Sequence, residues 1–266
     1  MINLNRVCSL SDFEDMADLI EAIAPGEGKR RKGWELAQQV RALAGLPEGG
    51  RVLGVGVGAE KSIFHLTNRF EVHATDRYAD PGIWAGWCPP TMLTDPGRHA
   101  PGGRPWQPER LIVQHMDMRR LRYADGSFDG VFSSSAIEHV GGLEGAMAAM
   151  REMARVLRPG GVLTLTTEFK IEGEGDGWEG VYLFDAGSLQ ALIGASGLEP
   201  VDEPVLTIDG DTLSTAMPLV EAVRCHEAGQ PLPEPHVVLT HAGCTFTSIS
   251  LALVHARRGT RVRKGK

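Results

Sequence analysis

The sequence predicts an α/β protein with a doubly wound, mostly parallel sheet and helices on both faces. Short apolar runs alternate with amphipathic stretches from about residue 51 to about residue 168, which is the order of βαβ units. The first run breaks into Gly54-Val55-Gly56-Val57-Gly58, as a strand does when it turns into a helix beneath a ligand. The chain has 266 residues, 42% apolar and 23% charged, enough to bury one sizeable core. Right-handed crossovers then place helices on either side of the sheet.

Each element has its own signal. Residues 11–23 set Phe13, Met16, Ala17, Ile20 and Ile23 at helical spacing behind Ser11 or Asp12 as N-cap. Residues 33–44 repeat the pattern with Trp34, Leu36, Ala37, Val40 and Leu43, and stop at Gly45 and Pro47. Strands are expected at 51–57, 71–75, 111–114, 127–132 and 162–167. Helices are expected at 61–68 and through Met153 to Leu157, and a last strand at 245–254. Two insertions follow strands, so both are expected at the carboxyl edge of the sheet, where open α/β sheets bind ligands. One, at about 79–109, carries Trp84, Trp87 and Trp106; the other, at 172–180, carries Trp178. A proline-rich stretch at about 204–243 is expected to help roof the pocket.

Net charge is −7, which argues against a broad nucleic-acid face. The basic residues at 257–266 read as a solvated tail. No run approaches eighteen apolar residues, so no membrane span is expected. The acidic first twenty residues do not resemble a signal peptide. Cys8, Cys88, Cys225 and Cys244 form no zinc spacing and read as reduced thiols, so a cytoplasmic location is expected.

The glycine turn alone also satisfies the dinucleotide pattern G-x-G-x-x-A through Gly54, Gly56 and Ala59, with Asp76 about twenty residues on. An acid there accepts hydrogen bonds from ribose hydroxyls in nucleoside and dinucleotide binders alike. The later segments separate the two. Asp117-Met118 follows the third strand. Then come Asp125-Gly-Ser-Phe-Asp-Gly-Val-Phe-Ser133, Glu138-His139-Val140, and Arg155-Val-Leu-Arg-Pro-Gly-Gly161. This series, in this order, resembles the class I S-adenosylmethionine-dependent methyltransferases, and their ubiquinone-biosynthesis-like branch in particular, over about residues 50–200. It is also similar to bacterial methyltransferases of glycosyl and secondary-metabolite gene clusters.

The resemblance implies a seven-stranded sheet with a final antiparallel strand. It implies a helical lid or cap at 1–48, a cofactor-binding domain at 49–258 and a flexible tail at 259–266. It implies that S-adenosylmethionine lies over Gly54, Gly56 and Gly58, leaving S-adenosylhomocysteine as product. Asp76, with Arg77 beside it, would meet the ribose. Asp117 would read the adenine amino group and the Met118 amide its ring nitrogen. Ser133 and Ser134 would line the methionine end. The family usually has an acid where Gly54 stands and a glycine where Glu60 stands. Glu60 is therefore expected to orient the cofactor's ammonium group, unless it only caps the following helix.

Methyl transfer to a hydroxyl benefits from a general base. His139 is the first candidate, because histidine titrates near working pH; Glu168, ending the fifth strand, is the second. Some relatives hold a divalent ion through E-x-x-E-H; here Ser135 stands at the first acid, and no metal is expected. Trp84, Trp87 and Trp178 are expected to contact the substrate. The function expected is methyl transfer to a small molecule, foremost a sugar or secondary-metabolite hydroxyl, in a monomer or homodimer with no nucleic-acid or membrane partner. N- or C-methylation, and a non-catalytic cofactor-binding relative, stay open.

Overall fold

The computed structural model describes residues 3–80, 82 and 85–256. Trp84 and the basic tail lie outside the described residues. The first half of the chain forms β1 (Arg6–Val7), α1 (Asp12–Ile23), α2 (Arg31–Leu43), β2 (Arg51–Val55), α3 (Lys61–Thr67), β3 (Glu71–Asp76) and β4 (Leu111–His115). The second half forms β5 (Phe128–Ser134), α4 (Gly142–Val156), β6 (Leu157–Glu172), β7 (Gly177–Trp178), β8 (Val181–Tyr182) and α5 (Ala186–Ser196). It ends with β9 (Glu199–Pro200), α6 (Gly210–Leu213), β10 (Met217–Pro218), α7 (Leu219–Glu227), β11 (Leu239–His241) and β12 (Cys244–Val254).

The parallel core runs β4-β3-β2-β5-β6, and β12 closes it antiparallel to β6. The chain leaves β2 for β3 and β4 on one side and returns to β5 and β6 on the other. The topological switch point therefore lies between β2 and β5, at their carboxyl ends. The sheet counts ten strands rather than seven. Beyond the six strands of the core just named, the sheet includes β1, β9, β10 and β11, each two or three residues long. Three of them pair β12, whose eleven residues leave backbone groups beyond the reach of β6.

Alternation along the strands divides the core. Leu53, Val55 and Val131 face α4 and α5 through Met150, Met153, Leu189 and Leu192. Val52, Val72, Ala74 and Phe132 face α3 through Ile63, Phe64 and Leu66. Central strands buried on both faces read as unbroken apolar runs, and β5 is buried at six of its seven residues.

The first 48 residues are not purely helical, because β1 joins the sheet beside β12. α1 and α2 enclose a core of Phe13, Met16, Ile20, Ile23, Trp34 and Leu36 that Val237 and Val238 complete. Trp34 is fully buried, and its Nε1 donates to Asp12 Oδ2 at 2.8 Å. The His236 carbonyl accepts from the Arg31 amide at 2.8 Å, and its own amide donates to the Lys29 carbonyl at 2.9 Å. Cap and roof thus pack as one body over the switch point. The 79–109 insertion winds through short 3-10 turns and anchors on α3, where Trp106 meets Phe64 edge to face at 5.2 Å.

Candidate active site

The glycine turn is built by close approach. A Cβ on Gly58 would lie 2.2 Å from the Trp87 carbonyl oxygen, and the residue sits at φ +46°. A Cβ on Gly56, at φ +67°, would lie 2.5 Å from Met118 Cε. Both positions therefore require glycine on space and on backbone conformation. Gly54 differs. It is an ordinary strand residue, and a Cβ there would meet Phe132 Cζ at 2.7 Å.

Asp76 ends β3 half-buried. Its Oδ2 accepts from the Gly58 amide at 2.7 Å and its Oδ1 from the Arg77 amide at 2.6 Å. The Arg77 guanidinium turns outward to Asp80. Arg119 clamps Asp117, with its Nη2 at 2.6 Å and Nε at 3.0 Å, and these bonds hold the carboxyl below its ordinary range. Met118 is buried, and Ser133 Oγ donates to the Val55 carbonyl at 2.8 Å.

Between the ends of β2 and β5, the first turn of α2 lowers two cations onto buried acids. Lys32 Nζ lies 2.7 Å from Glu60 Oε1, 2.8 Å from Ser134 Oγ and 3.2 Å from Glu35 Oε2. Burial works against its charge, but Glu60 and then Glu35 outweigh that and raise its pKa. Arg31 Nη1 reaches both oxygens of Glu168 at 2.5 Å and Ser248 Oγ at 3.1 Å. Glu35 also accepts from Ser248 and Ser135. Burial pushes its pKa up, but Lys32 and Arg31 outweigh this and hold it low. Burial prevails at Glu60 and at Glu168, whose pKa values rise despite their cations. Ser135 sits in the left-handed region at φ +44°, a strained conformation that tends to mark functional turns.

Beside this network lies a cleft of about 370 Å³, lined by Glu138, His139, Asp176, Trp178 and Tyr182 among others. Glu138 is 2% exposed. Its Oε2 accepts from Thr167 Oγ1 at 2.8 Å, while Oε1 has no hydrogen-bond partner. Burial first and the Glu168 charge second raise its carboxyl to about 8. His139 Nδ1 lies 2.8 Å from the Gly180 carbonyl oxygen, which can only accept. The proton of the neutral ring is therefore on Nδ1 and the lone pair on Nε2. Burial lowers the pKa of His139, so the ring is neutral at pH 7.

The structure thus gathers most of the residues singled out from sequence, but not all. The glycine turn, Glu60, Asp76, Asp117, Met118, Ser133 and Ser134 share the switch-point edge, and His139 and Trp178 share the cleft. Glu168 is committed to Arg31. Trp87 is 63% exposed and meets the glycine turn through its backbone. Glu60 stands at the N-cap position of α3 without a side-chain cap bond, and its carboxylate is held by Lys32. Arg31, Lys32 and Glu35 were not anticipated. Their one sequence signal is two cations placed three and four residues before an acid on one helix.

Residues 90–165 match the methyltransferase-domain family. The fold is similar to phosphoethanolamine N-methyltransferase 2 of Haemonchus contortus, solved with S-adenosylmethionine. The two share 16% identity over 94% of this chain and 61% of that one, with a TM-score of 0.54. Geranyl diphosphate C-methyltransferase from Streptomyces coelicolor A3(2) is similar at 12% identity, over 83% of this chain and 78% of that one, with a TM-score of 0.51. The Bacillus subtilis YcgJ protein is similar at 15%, over 84% and 98%, with a TM-score of 0.51.

The domain match and the shared fold together support a class I S-adenosylmethionine-dependent methyltransferase. The residues present fit S-adenosylmethionine. Asp76 keeps lone pairs on both oxygens after accepting one amide each, as a vicinal diol requires. Glu60, Ser134 and Glu35 already hold a primary ammonium, that of Lys32. The edge bears carboxylates where a sulfonium cofactor needs no phosphate cradle. Among the described residues, no helix is long and apolar enough to cross a membrane.

Proposed function

We propose that the protein methylates a hydroxyl of a small molecule, foremost a sugar or a secondary metabolite, seated in the cleft beside His139. The observation that carries this is the state of His139. A neutral ring whose proton is held on Nδ1 by Gly180 keeps its basic nitrogen at Nε2, 3.9 Å from Glu138 Oε1, in a residue that lines the cleft, as a general base requires. S-adenosylmethionine supplies an already activated methyl group, so the protein's work is alignment and proton removal. Gly56 and Gly58 let the backbone approach the cofactor, Asp76 takes the ribose hydroxyls and Asp117 the adenine amino group. The Met118 amide serves the adenine ring nitrogen, and Ser133 holds the end of β5 in place through Val55.

Glu168 serves in this reading as a positioning residue. Burial raises the Glu138 carboxyl to about 8 and the Glu168 charge, held by Arg31, adds to that, so that Glu138 can donate to an acceptor oxygen. Trp178 and Tyr182 offer ring faces for a sugar's C–H surface. The cap formed by the first 48 residues closes the site from above.

A second reading, transfer to an amine, draws on the buried charges. Even with Glu138 protonated, Glu35, Glu60 and Glu168 outnumber Arg31 and Lys32, and a cationic acceptor would offset the excess. Calorimetric titration with S-adenosylhomocysteine, with NAD as control, tests the cofactor. Turnover of His139→Ala on hydroxyl and amine panels tests the acceptor. A hydroxyl substrate is expected to lose about 10²–10⁴ in kcat without the base. Unchanged turnover would remove His139 and favour the amine.

A further inference from the structure

Lys32 occupies the centre of a built site. Two of the groups around its ammonium are almost fully buried, Glu35 at 1% and Ser134 at 2% exposed. The third, Glu60, has a second oxygen, Oε2, that is buried without a hydrogen-bond partner. These groups come from three separate places, the glycine turn, the end of β5 and α2, and they converge on one point at the switch between β2 and β5. Lys32 itself is 38% exposed in its side chain, so its stem runs to solvent while its tip is enclosed. A side chain in that posture can withdraw without unfolding α2.

We propose that Glu60, Ser134 and Glu35 form the subsite for the α-ammonium of the cofactor's amino-acid end, and that Lys32 is a self-ligand which fills it until the cofactor arrives. The inference rests on the cofactor reading above and deepens it. Both ligands are primary alkylammonium groups, with three donors and a single charge, and the acceptors make no distinction between them. The cofactor therefore competes with a tethered copy of its own head group. With the cap closed, the acids keep a counter-ion and avoid the cost of standing buried and unpaired. Cofactor binding releases Lys32 to solvent, which couples cofactor entry to loosening of the α2 end of the cap.

The test compares two probes by calorimetry, S-adenosylhomocysteine, which carries the amino-acid end, and 5′-methylthioadenosine, which lacks it. Lys32→Met is expected to bind S-adenosylhomocysteine on the order of tenfold more tightly than the wild type, because the bound self-ligand no longer reduces the competent fraction. Affinity for 5′-methylthioadenosine is expected to stay the same, which also shows that the variant is folded. Weaker binding of S-adenosylhomocysteine by Lys32→Met would overturn the proposal and make Lys32 a ligand of the cofactor's carboxylate. Equal change for both probes would overturn it as a general packing effect. If neither probe binds either protein, the cofactor reading falls, and this inference with it.

A wild-type measurement guards against a variant that does not fold. Reductive methylation of lysines, read by mass spectrometry, is expected to label Lys32 slowly in the free protein. Saturating S-adenosylhomocysteine is expected to speed labelling at least several-fold, and 5′-methylthioadenosine to leave it unchanged, with Lys29 as internal reference. No acceleration, with S-adenosylhomocysteine bound, would refute the displacement.

Discussion

Arg31→Met isolates the strongest ion pair of the site. Arg31 and Glu168 are 16% and 9% exposed in their side chains, and Nη1 lies 2.5 Å from both carboxylate oxygens. Removing one partner of a buried pair leaves the other charge uncompensated, at a cost of about 3–5 kcal/mol. In a protein of this size that is a fall in Tm of about 10 °C. The cost depends on pH with a definite sign. Glu168 already has a raised pKa, from burial opposed by Arg31, and loss of Arg31 raises it further. The acid then escapes by taking up a proton, so the deficit is large at pH 8.5 and shrinks toward pH 5. Removing the acid as well, in Arg31→Met with Glu168→Gln, is expected to recover most of the loss, with a coupling of about 2 kcal/mol or more. Circular-dichroism melts of the four proteins at both pH values decide it. A Tm loss that is the same at both pH values, or two single losses that add in the double variant, would refute the reasoning.

Three further outcomes follow from the same geometry. Glu138 has its carboxyl raised to about 8. Its contribution to stability is therefore complete below the unfolded value and lost as pH rises through about 8; Glu138→Gln should melt higher than wild type at pH 8.5 and match it near pH 5. His236 is lowered to about 4 by burial and then by Arg31 and Arg30, so its contribution is lost as pH falls from the usual histidine range toward 4. Proteolysis within residues 24–30 should quicken over that window, and His236→Gln should flatten the change. Gly58→Ala forces a Cβ to 2.2 Å from the Trp87 carbonyl at φ +46°. It should cost about 1–2 kcal/mol from conformation alone and weaken S-adenosylhomocysteine binding, read by melting and calorimetry.

The parallel core was legible because central strands are unbroken apolar runs ended by glycine or acid, as at Gly54 and Asp76. β1 was not, because two residues carry no periodicity, and its partner Ile249 is more than two hundred residues away. The cap was half legible. Periodicity located α2, but it marked Trp34, Leu36 and Val40 as the buried face. Glu35, Gln38 and Gln39 are also buried, at 1% exposure or less, because α2 packs against α1 on one side and against β5, β6 and β12 on the other. A pattern that sorts polar from apolar cannot see a polar face buried against a site. The tryptophans misled in the other direction. Their clustering in sequence suggested one surface, yet among the described residues Trp106 packs on Phe64, Trp87 is exposed and Trp178 lies beside His139.

The missing acid at Gly54 is the point where sequence and structure explain each other. A carboxylate there would need the space that Phe132 Cζ and Val57 Cγ1 hold within 2.8 Å of a Cβ. Phe132 is fully buried and belongs to the core shared with Val52 and Val72, so it has nowhere to retreat. Once an aromatic ring fills that corner, the negative charge has to come from elsewhere. In the reading proposed above, Glu60 supplies it from the end of the turn and Glu35 from α2, with the acid at residue 60 in place of the one expected at residue 54. Gly54→Asp should therefore restore nothing. It should lose about 1–3 kcal/mol of stability to overpacking, with S-adenosylhomocysteine affinity no better than wild type. Glu60→Gln, by contrast, should weaken that affinity while leaving 5′-methylthioadenosine binding intact. The opposite pairing, a gain from Gly54→Asp and indifference at Glu60, would mean that the charge had not moved and that Phe132 yields.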